Sequence, residues 1–222
     1  MPDNVKLFLH KARDAPIAVL LRRTNKKKDW EMIRWDMETD TFTEGQWLMG
    51  KTMNGRYCQL SADGKYFAYH YDLYGESKQN PSGNWACHGV VSLVPNFTAL
   101  YFCPNHMGNW EKIHFSEKGE VAFRDMQKKS EDAPPLVVWT KDMPIVPSSY
   151  IDVDNEENAQ ALNFHPATIA HSKAKGTFPE FTPWKDHKGR VITTDGGKLL
   201  ADGVVIYDCT DHVFEARPPM KN

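Results

Sequence analysis

Acidic and histidine side chains at three places in the sequence are of types that carry acid–base chemistry. His70 and Asp72 alternate with tyrosines in one apolar run, and the neighbours Asp186-His187 and Asp211-His212 lie beside turn residues. A carboxylate and an imidazole can transfer protons in hydrolysis when they converge within hydrogen-bonding reach. The hydrolase hypothesis therefore requires four side chains to meet at one end of a sheet, those of His70, Asp72, Asp186 and His187.

Cysteines and histidines in the middle of the chain have a spacing that resembles a zinc ligand set. Cys87-His88 precedes Cys103-Pro104-Asn105-His106, and thiolate and imidazole suit tetrahedral zinc. Neighbours on a strand point to opposite faces, however, so Cys87 and His88 cannot easily bind one ion. We therefore predict no metal site here, and no motif in the sequence calls for a cofactor.

Tryptophans near strand ends are the second group of candidate functional residues. Trp85, Trp110 and Trp184 lie close to glycine, asparagine, aspartate or proline, which favour turns. Exposed rings at such places can stack on a sugar or on a side chain of a partner protein, whereas buried rings pack in a core. With His70 and Asp72, these three tryptophans are the predicted ligand-binding residues.

Charge and composition argue against several classes of partner. The 222 residues include 27 basic and 29 acidic ones, a formal net charge of −2, so no overall field attracts nucleic acid or an anionic membrane. The first ten residues lack the apolar stretch of a secretory signal, and the four cysteines are scattered. We expect a cytoplasmic protein with reduced thiols.

The elements that must position these residues are β-strands throughout. Apolar or alternating runs at 16–23, 30–36 and 41–48 are separated by polar turns, which is typical of an antiparallel meander. The clearest hairpin is at 58–71, where Ser61-Ala62-Asp63-Gly64 forms a turn between two apolar runs. The sequence predicts an all-β fold made of hairpins. We expect these hairpins to form a propeller-like arrangement, and the alternative is a β-sandwich or a barrel.

The sequence gives weaker signals for internal repeats and for domain boundaries than for strands. The Trp-Glu-x-Ile pattern at Trp30 returns at Trp110, and an apolar-aromatic-Asp pattern returns at 204–208. Prolines and charges between about 124 and 160 predict a long connection with one short strand at 136–139, followed by a helix at 154–162. We interpret residues 1–222 as a single β-rich domain.

A family resemblance supports this fold. Residues 60–69, Leu-Ser-Ala-Asp-Gly-Lys-Tyr-Phe-Ala-Tyr, resemble the Ser-Pro-Asp-Gly repeat of TolB-like and WD-type β-propellers, with Ala62 in place of the usual proline and one copy of the full motif. Residues 15–69 are also similar to a family of uncharacterised bacterial proteins. The resemblance implies a small or incomplete β-propeller and assigns no activity.

The familiar signatures of hydrolases, metalloproteases and nucleotide-binding enzymes are missing from the sequence. A strong scaffold signal without such motifs favours a non-catalytic binding module, most simply one for a protein partner. The alternatives are the hydrolase described above and a lectin-like, carbohydrate-binding protein.

Overall fold

The computed structural model describes eight stretches of the chain: residues 5–24, 29–72, 87–106, 114–116, 119–124, 136–140, 143–148 and 183–218. Every regular element in these stretches is a β-strand, and every strand pair is antiparallel. The all-β meander predicted from the sequence is confirmed. The helix predicted at 154–162 lies outside the described residues.

The first half of the chain forms two sheets. Sheet I has the strand order β1-β2-β3-β4, and sheet II has the order β5-β7-β8-β9 with β6 also paired to β7. The strands of sheet I are β1 (Val5–Lys11), β2 (Ile17–Thr24), β3 (Trp30–Asp36) and β4 (Thr41–Leu48). Those of sheet II are β5 (Thr52–Met53), β6 (Gln59–Leu60), β7 (Tyr66–Asp72), β8 (Cys87–Leu93) and β9 (Ala99–His106).

The second half forms two further four-stranded sheets, again with neighbouring strands in chain order. Sheet III contains β10 (His114–Phe115), β11 (Val121–Arg124), β12 (Leu136–Thr140) and β13 (Met143–Ser148). Sheet IV contains β14 (Trp184–Lys185), β15 (Val191–Asp195), β16 (Lys198–Ala201) and β17 (Val204–Asp208).

The predicted connection at 124–160 contains a hairpin and not only one strand. β12 coincides with the short strand expected at 136–139, and β13 pairs with it through contacts such as Val138↔Val146. Two prolines hid β13 from sequence analysis, because proline cannot donate to a strand ladder.

Three hydrophobic clusters pack the sheets face to face, with sheet I between sheets IV and II. One face of sheet I carries Val19, Trp30 and Met32 against Phe67 and Tyr69 of sheet II. The alternate residues Leu20, Ile33 and Trp35 pack against Ile192, Leu199 and Ala201 of sheet IV. The far face of sheet II, with Ala68 and Val91, contacts Phe115 and Val121 of sheet III. The order of packing is therefore IV, I, II, III, with no closed barrel among the described strands.

The Ser61–Gly64 turn between β6 and β7 has the geometry expected from its sequence. Gly64 adopts φ +76°, and its N–H donates to the Ser61 carbonyl at 3.0 Å. The Ser61 Oγ accepts from the backbone amides of Lys65 and Tyr66 at 3.1 and 2.9 Å. A glycine is needed because φ in this range brings a Cβ against the backbone.

The same turn returns in sheets III and IV with a looser sequence. Gly119 (φ +77°) donates to the Ser116 carbonyl at 2.9 Å, and Gly189 (φ +79°) donates to the Asp186 carbonyl at 3.0 Å. The Ser116 hydroxyl and the Asp186 carboxylate accept from backbone amides as Ser61 does. The structural repeat is thus Ser/Asp-x-x-Gly at the first hairpin of a sheet. The Trp-Glu-x-Ile pattern is not that repeat, because Trp30 begins the third strand of sheet I.

Because Asp186 has the same place in its turn as Ser61 has, we expect serine to replace Asp186 better than alanine does. Asp186→Ser should keep the acceptor for the amides of Lys188 and Arg190, whereas Asp186→Ala should lose it at a further cost of about 1 kcal/mol. Urea unfolding of both variants measures the difference. Equal stabilities of the two variants would show that the hydroxyl does not substitute for the carboxylate in this turn.

In the part of the chain that the structure describes, no helix has the length and apolar character needed to cross a membrane.

Candidate functional site

The structure separates the residues of the hydrolase hypothesis. His70 is buried on β7, on the face opposite Tyr69 and so toward sheet III, and its ring stacks on Tyr57 with centroids 6.2 Å apart. Asp72 ends β7, and its side chain lies outside the described residues. Asp186 and His187 belong to the first turn of sheet IV, across sheet I from sheet II. The described geometry therefore does not bring His70 to Asp186 and His187.

Trp184 is the one predicted aromatic residue that the described stretches include; Trp85 and Trp110 lie outside them. Its half-buried ring packs 6.3 Å from the ring of Trp35, centroid to centroid, and the Lys11 ammonium lies 5.2 Å from its centroid. Trp184 therefore covers the contact between sheets I and IV.

The zinc-like spacing does not place His88 beside Cys103. The His88 ring contacts Phe102 and Tyr71, at centroid distances of 4.5 and 5.2 Å, on the face of sheet II that points to sheet I. Cys103 is buried in the cluster on the opposite face. The side chains of Cys87 and His106 lie outside the described residues.

A cluster of ionisable groups that sequence analysis did not assemble lies on sheet I. It consists of Glu31 on β3, Glu44 on β4, and His212 and Arg217 from the segment after β17. Residues 209–218, here called the strap, cross sheet I without forming a strand. Glu31 is fully buried, whereas the other three side chains keep between a fifth and two fifths of their surface exposed.

The four side chains of this cluster form a closed ring in which acidic and basic groups alternate. The Glu31 carboxylate contacts His212 Nδ1 at 2.9 Å with one oxygen and Arg217 Nη1 at 3.3 Å with the other. The Glu44 carboxylate contacts His212 Nε2 at 3.5 Å and Arg217 Nη2. Both carboxylates are thus shared between the same two cationic side chains, which suits a buried charge that needs partners.

Side chains of sheet I also hold the strap beside the cluster of Glu31, Glu44, His212 and Arg217. The buried Arg22 guanidinium donates to the backbone carbonyls of Cys209, Thr210 and His212 at 2.6, 3.1 and 2.9 Å. The Phe214 ring meets the Trp47 ring edge-on, with centroids 6.1 Å apart. Arginine suits this task because its planar fork of N–H groups can serve several carbonyls at once.

Gln46 extends the network from the strap to sheet II. Its Nε2 donates to the Arg217 carbonyl at 3.2 Å. Its Oε1 accepts from the amides of Phe97 and Thr98, each at 2.9 Å. Gln46 therefore joins the strap, sheet I and the loop before β9.

The cluster of Glu31, Glu44, His212 and Arg217 contains the carboxylate and imidazole groups of a metal site, but Arg217 already supplies positive charge to it. One atom each from Glu31, Glu44 and His212 lies within 4.8 Å of the others. Arg217 already binds both carboxylates, so a cation would have to displace a guanidinium that has the same charge sign and good partners. The hydrogen bond to Glu31 raises the pKa of His212 above its ordinary value, against the opposing effect of burial. The arrangement fits an ion-pair clasp.

A second ion cluster joins sheet IV to the β3–β4 turn of sheet I. Arg190 donates to both oxygens of Asp40, at 2.9 and 2.8 Å, and through Nε to the buried Asp186 carboxylate at 2.8 Å. Lys188 Nζ lies 3.1 Å from Asp40 Oδ2. The hydrogen bonds from Arg190 lower the pKa of Asp40 to about 2, against desolvation.

The lowered pKa predicts a pH-dependent cost for Asp40→Asn. The carboxylate stabilises the fold fully above its unfolded pKa of 3.8, and this contribution disappears as pH falls toward 2. Because the side chain is about one third exposed, we expect a loss of only about 1 kcal/mol at pH 7. Urea unfolding at pH 7 and pH 3 measures it, with the exposed neighbour Glu38→Gln as control. A cost that is the same at both pH values would contradict this assignment.

The comparisons with known proteins leave the site without an assigned relative. No family model, curated protein or solved structure matches this chain.

Proposed function

We propose that this chain is a non-catalytic protein-binding module on a small, propeller-like scaffold. The proposal assigns recognition to the edge of sheet II, where β9 presents apolar side chains to solvent. Leu100 is 50% exposed and Phe102 is 43% exposed on this strand. This pair of apolar side chains on an edge strand is the observation that carries the proposal.

The contacts that the described ionisable groups make support a non-catalytic role. Glu31 and Glu44 each bind His212 and Arg217, and Asp40 and Asp186 each bind Arg190. The contacts of Glu31 and Glu44 fasten the strap to sheet I, and the Asp40–Arg190 contact joins sheet I to sheet IV. A catalytic base needs an approach for substrate, and Glu31 has none because it is fully buried.

The geometry of β9 favours an extended segment of a partner as the ligand. Among the described strands, β9 pairs only with β8, and we propose that the ligand approaches β9 from the side away from β8. Leu100 and Phe102 are both exposed, and Leu100 is the extra residue of a register shift between β8 and β9. An added strand would gain backbone hydrogen bonds from the edge and specificity from these two side chains.

Natural edge strands are usually protected by lysine, proline or a bulge. Residues 99–103 of β9 contain neither lysine nor proline, but they do contain a bulge at Leu100. We place the proposed contact at 99–103 because Leu100 and Phe102 are exposed there. A cytoplasmic location is also proposed, supported by the free thiols of Cys58 and Cys209.

Affinity capture from the native cell with quantitative mass spectrometry tests this function. The double variant Leu100→Asp/Phe102→Asp should lose a partner that the wild-type chain retains, by at least about tenfold, because two apolar contacts are replaced by charges. The matched control is Val204→Asp/Val205→Asp, since Val204 and Val205 are exposed to 66% and 46% on β17, which also has one neighbour among the described strands.

Circular dichroism and urea unfolding must first show that both double variants fold. Equal retention of every captured protein by the three chains would overturn the β9 assignment. Retention of glycans in place of a protein would favour the lectin-like alternative. Turnover of a hydrolase substrate by the wild-type chain would restore the enzyme hypothesis.

A further inference from the structure

The strap carries a histidine whose two ring nitrogens both face carboxylates. Nδ1 of His212 lies 2.9 Å from a Glu31 oxygen, and Nε2 lies 3.5 Å from a Glu44 oxygen. A neutral imidazole has one N–H group and one lone pair, whereas the imidazolium has two N–H groups. Only the charged form can donate to both carboxylates and complete the ring.

The charges around His212 also balance only when it is protonated. The carboxylates are Glu31 from β3, Glu44 from β4 and Glu215 from the strap, and Arg217 binds all three. Arg22 from β2 donates to the His212 carbonyl, and Tyr207 from β17 places its ring 5.8 Å from the imidazole. Three carboxylates thus face two guanidinium groups, and the imidazolium supplies the third positive charge.

We propose that residues 209–218 act as a pH-dependent strap, which is fastened to sheet I when His212 is protonated and loosened when His212 loses its proton. Loss of the proton turns one N–H group into a lone pair that faces a carboxylate. One contact of the ring is then lost and replaced by repulsion. The bonds from Arg22 and Arg217 remain, so the strap becomes less stable and is not released outright.

The sign of the pH dependence follows from the direction of the pKa shift. The hydrogen bond to Glu31 raises the pKa of His212 above 6.5 in the fastened state, whereas a loosened strap returns the imidazole to its ordinary value. The stabilisation is therefore complete below pH 6.5 and is lost as pH rises through the raised pKa. Fastening is favoured by acid and opposed by base.

Amide hydrogen exchange of the intact protein between pH 6 and pH 9 tests this proposal. Protection factors, which correct for the base-catalysed intrinsic rate, should fall several-fold for the hydrogen-bonded strap amides of Cys209, Thr210 and His212 as His212 loses its proton. The amides of β7, which the strap does not contact, should keep their protection factors. Constant protection of the strap across this range would overturn the proposal.

Two variants separate His212 from other titrating groups. His212→Gln should lower the protection of the strap at pH 6 and abolish its pH dependence. His187→Gln removes an exposed histidine from the β14–β15 turn and should leave the wild-type profile unchanged. A pH dependence that survives in His212→Gln would assign it to another group and overturn the proposal.

A spectroscopic measurement on the wild-type chain keeps the proposal testable if His212→Gln does not fold. The imidazole nitrogen shifts of His212 should report a doubly protonated ring above pH 6.5, with a titration midpoint higher than that value. A midpoint at or below 6.5 would contradict the fastened geometry.

Discussion

Replacing Gly45 with alanine is expected to destabilise the protein by about 3 kcal/mol or more, at the upper end of the range for overpacking. A Cβ on Gly45 would lie 1.9 Å from the Pro95 carbonyl oxygen and 2.7 Å from the Met32 carbonyl oxygen. Both obstacles are backbone atoms, which cannot move aside as a flexible side chain would. The alanine can be accommodated only if sheet I and the loop before β9 move apart.

A movement of sheet I away from the loop before β9 would affect the contacts of the strap as well as the fold. Gln46 donates its backbone N–H to the Pro95 carbonyl at 3.0 Å, and Arg217 Nη1 donates to the Gly45 carbonyl at 3.1 Å. Gly45 thus lies where sheet I, sheet II and the strap converge. Its replacement should weaken all three contacts together.

Urea unfolding of Gly45→Ala measures this effect, and Gly203→Ala is the control. Gly203 has open space around its Cβ position but φ +80°, so alanine there should cost only about 1 kcal/mol of backbone strain. If Gly45→Ala costs no more than Gly203→Ala, the close approach of Pro95 to β4 is incorrect.

Removal of the Glu31 carboxylate is the second change with a large expected effect. Glu31→Ala should cost about 3 kcal/mol, because it leaves Arg217, His212 and Arg22 near one another with a partner missing. The matched control is Glu215→Ala, since Glu215 also binds Arg217 but is 66% exposed. That control should cost less than about 1 kcal/mol, the usual limit for a surface ion pair.

A double-mutant cycle isolates the ion pair from the cavity that alanine leaves. Combined with Arg217→Ala, the Glu31→Ala change should cost less than it does in the wild-type background, by about 1 kcal/mol or more, because the charge left behind is also removed. Unfolding free energies of the four chains measure this coupling. Strictly additive costs would mean that Glu31 and Arg217 do not interact.

The local part of the fold follows from the sequence because its causes are local. Alternating apolar residues and polar turns specify each hairpin, and the Ser61–Gly64 turn is encoded within four residues. The similar turns at Ser116 and Asp186 are hard to recognise in the sequence, because such a turn needs only a hydrogen-bond acceptor at its first position and a glycine at its fourth. The order in which the sheets pack depends on contacts between distant segments, which no local pattern specifies.

The candidate site was only partly predictable for the same reason. Asp211 and His212 are neighbours in the sequence, yet the partner of His212 is Glu31, 181 residues away. Glu31 itself lies in the apolar run Trp30–Asp36, where a charged residue between buried neighbours signals a paired group. That signal predicts a partner but not its identity, because any cationic residue would serve.

The exposed edge of β9 depends on information that a sequence does not carry. Leu100 and Phe102 have the alternation of any buried strand, and only the strand order of sheet II shows that β9 has one described neighbour. Composition therefore could not distinguish a core pair from a contact surface. The tryptophans favoured by sequence analysis, of which Trp184 packs between two sheets, illustrate the same ambiguity.

Hydrogen exchange of the chain bound to its captured partner tests the proposed function most directly. Those backbone amides at 99–103 that point away from β8 should gain protection in the complex, because the proposed added strand pairs with β9 on that side, whereas amides of β17 at 204–208 should not change. Protection confined to another surface, with exchange at 99–103 the same in the free and bound chain, would contradict the proposed recognition edge.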